Sequence, residues 1–333
     1  MLFTGIPRVR LLHHVTPLER LARLEAEKNH SGIYAKRDDC MPLGLGGNKV
    51  RSLEFWMGQA LAEKCDVVVV AGAKESNQCR LTAAAAAKLG LKCHILHSSD
   101  EPADWDGNLL LNDLLGSDVR FLGPVNEEER GEIARHEMKR LASEGHRPYL
   151  VGDPVLGALG YVVAALELHH QADAMEADLL HVVLPGSMGP TEAGFLFGMA
   201  MLGAPFFVHL VSVEYGKTEL LRRIEAIFEG VEKKLGFSPS VDFRDFMTIY
   251  EEYLGDGYGK VTPASLEGGR LLASIEGIFL ENTYTSKTFA GMMDLLGRGA
   301  ISRNEAVCFL HTGGIPALFG QSVLFTERRK RPS

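Results

Sequence analysis

Residues 66–90 constrain the fold of this chain more than any other stretch. Asp66 to Ala71 contains four consecutive valines and is followed by Gly72. β-Branched residues favour the pleated conformation, and a short unbroken apolar run suits a strand buried on both faces. Ser76 and Asn77 are good helix N-caps, the run from Leu81 through five alanines to Leu89 has high helix propensity, and Gly90 can end it. Lys92 to Leu96 then reads as a second strand. Strand, helix and strand in this order make a βαβ unit with a right-handed crossover. The turn from Gly72 to Gln78 therefore falls at the carboxyl end of a parallel strand, the edge at which open α/β sheets bind ligands.

The same kind of edge is expected twice more. Leu179 to Leu184 reads as a strand, Gly186 to Thr191 as a glycine-rich turn and Glu192 to Leu202 as a helix, before a strand from Phe206 to Val213. Ala306 to Leu310 reads as a strand leading into the turn His311-Thr312-Gly313-Gly314, with Pro316 where a helix can start. Thr218 to Lys234 and Leu266 to Ile278 carry amphipathic helical patterns, and the acidic segment Asn126 to Glu144 reads as a solvated helix. No repeat or linker stands out, so two lobes would be interleaved along the chain rather than joined end to end.

Composition excludes several classes of function. A chain of 333 residues can form two α/β lobes, each with a sizeable core. Hydrophobic residues at 46% and charged residues at 23% argue against disorder and fibrous repeats. The net charge of -8 argues against a nucleic-acid surface, and the basic tail Arg328 to Arg331 is too short to reverse it. The longest nearly apolar stretch, Ala193 to Val208, contains three glycines and a proline and falls short of the about 20 residues that span a bilayer, so no membrane segment is expected. The N-terminus lacks the pattern of a signal peptide, and a cytoplasmic protein is expected. Five cysteines without metal-type spacing suit reduced, mostly structural thiols and no metal site.

Gly44-Leu45-Gly46-Gly47-Asn48-Lys49 begins like a dinucleotide fingerprint, but its sixth position is lysine and no clear strand leads into it. It also lacks the Gly-Lys-Ser/Thr ending of a phosphate-binding P-loop. What remains is a lysine on a mobile glycine loop, followed by a helical segment from Arg51 to Lys64. Alone, such a lysine is an ordinary surface residue. Gly186-Ser187-Met188-Gly189-Pro190-Thr191 changes that reading, because it leads into a helix and so offers backbone N–H groups and hydroxyls to an anion. Together the two suit a phosphorylated aldehyde cofactor, with its phosphate on the turn and its aldehyde on the amine. A lysine in a desolvated or cationic setting loses its proton readily enough for that chemistry.

The segment from Lys36 to Leu96 contains Lys36-Arg37-Asp38-Asp39, the Gly46-Gly47-Asn48-Lys49 loop and Glu75-Ser76-Asn77-Gln78. It closely resembles the 1-aminocyclopropane-1-carboxylate deaminase and D-cysteine desulfhydrase family, a fold-type II pyridoxal phosphate group. The resemblance continues through Leu156-Gly157-Ala158-Leu159-Gly160-Tyr161, Gly257-Tyr258-Gly259, Glu276-Gly277-Ile278, Tyr284-Thr285-Ser286-Lys287 and His311-Thr312-Gly313-Gly314, and so covers most of the chain. It implies an α/β protein of the tryptophan synthase β-subunit type, with two three-layer αβα domains. Residues 1–52 and 162–333 would form the large domain and residues 53–161 the small one. It further implies pyridoxal 5'-phosphate between the lobes, a small amino acid as substrate, and a homodimer.

The resemblance also assigns roles. Lys49 would carry the cofactor, with Asn48, Asn77, Gly186, Ser187, Met188, Gly189, Thr191, Thr285 and Thr312 around it. Ser76, Asn77 and Gln78 would hold the substrate carboxylate, and Ser76 could relay a proton. Tyr258 and Tyr284 would face the substrate, where a phenol can pass a proton to a leaving group. The ring-opening deaminases resemble one another in having glutamate after the second tyrosine, where a carboxylate keeps the pyridine nitrogen protonated. Thr285, as in the desulfhydrases, implies a weaker electron sink and favours β-elimination over ring opening. D-cysteine is the first-choice substrate, giving pyruvate, ammonia and sulfide. L-cysteate and 1-aminocyclopropane-1-carboxylate are the alternatives. Racemisation or dehydration on the same cofactor, and a non-catalytic cofactor- or amino-acid-binding relative, are the readings of other classes.

Three departures from the family pattern bear on the substrate. Lys74 and Glu75 replace an apolar residue and glutamine, and Glu75 either enters the pocket or forms an outward ion pair with Lys74. Pro190 adds a residue to the phosphate turn. Gly152-Asp153-Pro154 alters another expected pocket wall.

Overall fold

The computed structural model describes residues 3–321 and 324, so the basic tail lies outside the described residues. The strands are β1 (Leu18–Arg20), β2 (Ile33–Arg37), β3 (Val67–Gly72), β4 (Lys92–His97), β5 (Asp118–Phe121), β6 (Pro148–Leu150), β7 (Leu179–Gly186), β8 (Phe207–Ser212), β9 (Met247–Tyr250) and β10 (Ala306–His311). The helices are α1 (Ala22–Lys28), α2 (Lys49–Ala62), α3 (Asn77–Leu89), α4 (Gly107–Leu114), α5 (Glu127–Ser143), α6 (Pro154–Ala174), α7 (Pro190–Met201), α8 (Lys217–Leu235), α9 (Pro263–Glu276), α10 (Thr285–Gly297) and α11 (Ile315–Phe319).

One sheet has the order β1-β2-β10-β7-β8-β9 and the other β5-β4-β3-β6. β1 pairs antiparallel with β2, and the pairings of β2, β10, β7, β8 and β9 are parallel, as are those of the second sheet. Successive side chains of a strand point to opposite faces, and these strands bury both. In β3, Val68 and Val70 join the core beneath α3, whereas Val67 and Val69 pack with Ala134 and Leu141 of α5. In β10, Cys308 and Leu310 face the core shared with α2, α6, α7 and α8, whereas Val307 and Phe309 face α1, α9 and α10. Each sheet therefore has helices on both faces, the three-layer α/β arrangement read from the sequence.

Some element limits differ from the sequence reading. α5 is not simply solvated, since Ala134, Glu137 and Leu141 are buried and only its outer face meets water. α9 begins at Pro263, where Thr262 and Ser265 form a reciprocal cap and proline occupies the first turn. α7 begins at Pro190, two residues before Glu192, because a proline's fixed φ suits the first helical position. Asp153 and Pro154 likewise open α6, with the Asp153 carboxylate accepting the Leu156 N–H at 2.7 Å. α6 lies hard against α7, where a Cβ on Gly194 would stand 2.0 Å from the Ala158 carbonyl oxygen.

Candidate active site

Lys49 is the first residue of α2 and is held from both sides. Gly47 bridges to Gly313, the Asn48 N–H donates to the Thr312 carbonyl at 2.9 Å, and the Asn48 amide donates to the Thr191 hydroxyl at 2.9 Å. The lysine loop is thus clamped to the turns after β7 and β10 rather than mobile, because it reaches partners far away in sequence. Gly46 has φ +70°, and a Cβ there would meet the Asp39 carbonyl at 2.4 Å. Burial pushes the Lys49 amine below its ordinary value, against the opposing pull of Glu192 and Glu214.

The turn after β3 supplies the second wall. Ser76 caps α3, its hydroxyl accepting the Cys79 N–H at 3.3 Å. Arg80, one turn further on, is fully buried, and the groups it donates to are neutral. Its guanidinium reaches the carbonyls of Gly44 and Gly46, Asn108 at 2.8 Å and Asn77 at 3.4 Å. Burial lowers Arg80 to about 10. This residue, absent from the sequence reading, ties the lysine loop to the Ser76 edge; a guanidinium inside an alanine-rich helix was the available signal. Asn108 also donates to the Glu75 carbonyl at 2.7 Å, fixing that turn.

Glu75 itself points elsewhere. Its carboxylate stands 3.9 Å from the Lys74 ammonium, with the two side chains 39% and 44% exposed. Both residues line an adjoining hollow with Asp104, Asp106 and Gly259. Gly152 lies against the Gln78 amide, bringing the altered 152–154 segment next to the third residue of the Ser76 edge.

The turn after β7 is an anion cradle. Gly189, at φ 107°, precedes α7, and Glu192 folds back so that its carboxylate accepts the Ser187 N–H. The backbone N–H groups of Gly189 and of Glu192 itself also favour its charged form. The Ser187 hydroxyl donates to Glu214, and the Met188 sulfur accepts from Tyr215 at 3.4 Å. Neither glutamate was singled out from sequence, because their approach to Ser187 depends on where β8 and α7 meet. Burial raises both carboxyls above their ordinary values.

The fourth wall is the start of α10. The Tyr258 and Tyr284 hydroxyls lie 2.5 Å apart, and burial raises both phenols well above the usual value, so both stay protonated near neutrality. Tyr284 lines the main cavity. Thr285 turns away from it: its hydroxyl accepts the Glu281 N–H at 3.0 Å and lies 3.1 Å from a Glu281 carboxylate oxygen. Glu281, also missed, accepts the N–H groups of Thr283, Tyr284 and Thr285 and so secures the tyrosine turn.

Asn48, Lys49, Ser76, Asn77, Gln78, Ser187, Met188, Thr191, Tyr284 and Thr312 share one cavity with Pro185 and Glu192, enclosing about 610 Å³ of empty space including its open mouth. A phosphorylated aldehyde fits this donor set. The start of α7 already seats an anion, the Glu192 carboxylate, on the Ser187 N–H, and a crowded lysine amine faces the same space. Among the described residues no group of three histidine, cysteine, aspartate or glutamate side chains could hold a metal.

Comparison with known proteins agrees with this geometry. The pyridoxal-phosphate dependent enzyme family matches residues 9–313. D-cysteine desulfhydrases of Salmonella newport (strain SL254) and Salmonella heidelberg (strain SL476) are each 35% identical over 324 residues, covering 95% of this chain and 96% of theirs. A solved structure described as an ACC deaminase homologue is 32% identical and has a TM-score of 0.88, covering 97% of both chains. A threonine deaminase from T.th., 20% identical with a TM-score of 0.65 over 90% of this chain and 92% of that one, shares the fold. The chain belongs to the pyridoxal-phosphate dependent enzyme family, in its 1-aminocyclopropane-1-carboxylate deaminase and D-cysteine desulfhydrase group. Its cofactor is pyridoxal phosphate.

Proposed function

We propose that this enzyme eliminates the β substituent of D-cysteine, so that D-cysteine and water give pyruvate, ammonia and hydrogen sulfide. The observation that carries this reading is the Tyr284 phenol, which lines the same cavity as Lys49 and meets the Tyr258 hydroxyl behind it. Pyridoxal phosphate, when bound, supplies the electron sink that acidifies the α-hydrogen of the attached amino acid. Lys49 holds the cofactor and moves the proton at the α carbon. The α7 N-terminus, Ser187 and Thr191 receive the phosphate, with Asn48 and Thr312 bracing the lysine loop. The start of α3 at Ser76, Asn77 and Gln78 holds the substrate carboxylate. A protonated phenol at Tyr284, backed by Tyr258, delivers a proton to the departing sulfur.

Thr285 supports elimination over ring opening, since no carboxylate stands at that position and Glu281 behind it is engaged with backbone N–H groups. Glu75 pairs with Lys74 in the adjoining hollow and is not among the residues that line the main cavity, so it adds no carboxylate to that lining. The test is a screen of D- and L-cysteine, L-cysteate and 1-aminocyclopropane-1-carboxylate for keto acid, ammonia and sulfide. Turnover of D-cysteine with sulfide release is expected. Product from another of these substrates and none from D-cysteine would overturn the assignment.

The expected domain limits at residues 52 and 161 fall within α2 and α6, which pack on each other. On this reading the two helices form the junction between a small lobe built on the β5-β4-β3-β6 sheet and a large lobe built on the other. A homodimer in the cytoplasm completes the proposal. No described helix is long and apolar enough to cross a membrane, and sedimentation of the purified protein tests the dimer.

A further inference from the structure

Glu192 is 2% exposed and occupies the third position of α7, where its carboxylate accepts the Ser187 N–H and the nearby Gly189 and Glu192 N–H groups also favour its charged form. A phosphate received on this turn needs those same donors. The Ser187 hydroxyl is engaged with a second carboxylate, Glu214. Lys49 from α2 is the basic side chain that acts on both glutamates. Arg223 of α8 also acts on Glu214 and is paired with Glu127 of α5 at 2.8 Å. α6 brings Tyr161, whose hydroxyl donates to Asp38 at 2.6 Å, and α10 brings the Tyr284 phenol at the cavity. The 243–246 turn meets α7 through buried Phe243 and Phe246, leaving Arg244 and Asp245 exposed. Lys49 thus faces a buried carboxylate, Glu192, and a half-buried one, Glu214, before any phosphate arrives. A phosphate monoester brings close to two further negative charges near neutrality. Like charges gathered in a desolvated site force one of them to take a proton.

We propose that a phosphate seated on the Ser187–Thr191 turn displaces the Glu192 carboxylate from the Ser187 N–H and that Glu192 then takes up one proton from solvent, so that cofactor loading is coupled to Glu192 protonation. In the step, the Ser187 N–H···O contact passes from carboxylate to phosphate, and an O–H bond forms on Glu192 at the expense of a solvent proton. Burial already biases Glu192 towards its acid form. The inference rests on the phosphate position proposed above and names the residue that makes loading depend on pH.

The test uses the full chain freed of cofactor and pyridoxine 5'-phosphate, whose alcohol cannot bond to Lys49. Calorimetric titration at pH 7.5 and 8.5, in buffers of different ionisation enthalpy, counts the protons. The wild type is expected to take up about one proton per ligand and to bind about tenfold more weakly at the higher pH, the slope of one-proton linkage. Glu192→Gln is expected to take up none and to bind with nearly equal affinity at both. Absent uptake by the wild type overturns the inference without any variant, and so does uptake that survives Glu192→Gln or disappears only in Glu214→Gln. Binding without uptake removes only the role of Glu192, whereas no binding at either pH removes the phosphate seat itself. In the holoenzyme, retention of visible absorbance through gel filtration should fall with rising pH for the wild type and stay level for Glu192→Gln.

Discussion

Lys49 owes its proposed reactivity to crowding by neighbours that carry too little charge to hold its proton firmly. Burial lowers the amine more than Glu192 and Glu214 raise it, which favours the neutral nucleophile. The purified protein is expected to show a visible band that borohydride removes and that Lys49→Ala lacks. A colourless wild type that stays colourless with added pyridoxal phosphate would refute the role of Lys49. Tyr284→Phe keeps the ring and removes only the hydroxyl that meets Tyr258 at 2.5 Å. Its kcat with D-cysteine should drop by about 10²–10⁴, the usual weight of a positioned proton donor, with the cofactor spectrum retained. Full activity would exclude the phenol as donor. At this scale the sequence made Lys49, Ser76 and the 186–191 turn legible through glycines and caps. It did not disclose Arg80, Glu192, Glu214 or Glu281, because a buried charge is recognised by what surrounds it.

At the scale of elements, caps and glycines decide where helices begin and how closely they pack. Thr262 accepts the Ser265 N–H at 3.1 Å while Ser265 returns the bond at 3.0 Å, which moved the start of α9 ahead of its amphipathic pattern. Thr262→Ala should lower stability by about 1 kcal/mol, read as a shift in denaturant midpoint with unchanged slope. Gly194 is a packing position, since an added Cβ would meet the Ala158 carbonyl of α6. Gly194→Ala is expected to cost about 1–3 kcal/mol through overpacking, and a midpoint equal to the wild type would show that α6 and α7 can part without penalty. The strands of the βαβ unit were readable because their alternating side chains are mostly apolar. The beginnings of α2 and α7 were not, because a lysine or a proline can stand equally well in a loop or in a first turn.

Across the whole molecule, a buried ionic network joins the N-terminal segment, β2, α2 and α6. Arg51 donates to Asp38 at 2.8 Å and to Glu167 at 3.0 Å, Lys36 reaches Glu167 at 2.5 Å, and Thr16 and Tyr161 donate to Asp38 at 2.7 Å and 2.6 Å. Burial alone would raise Asp38 and Glu167, but Arg51 and Lys36 outweigh it and hold both below their ordinary values. A carboxylate whose folded pKa is depressed adds stability above its unfolded pKa, about 4, and loses it as pH falls through the folded value. The urea midpoint should therefore fall below about pH 4 and fall less steeply in Asp38→Asn. At pH 7 that variant should be less stable by about 3–5 kcal/mol, because Arg51 loses a charged partner in the interior. A flat acid profile in the wild type would count against the network. The parallel α/β class, the three strand-turn-helix edges and the family were legible in the chain alone, because local propensity, turn residues and motif spacing are written in consecutive positions. Folding was needed to clamp the lysine loop to Thr191 and Thr312, to turn Thr285 to Glu281, to send Glu75 outward and to lay Glu192 over the anion cradle. Most of these depend on which elements meet across the fold, and all depend on which partner each polar group finds there, which consecutive residues do not specify.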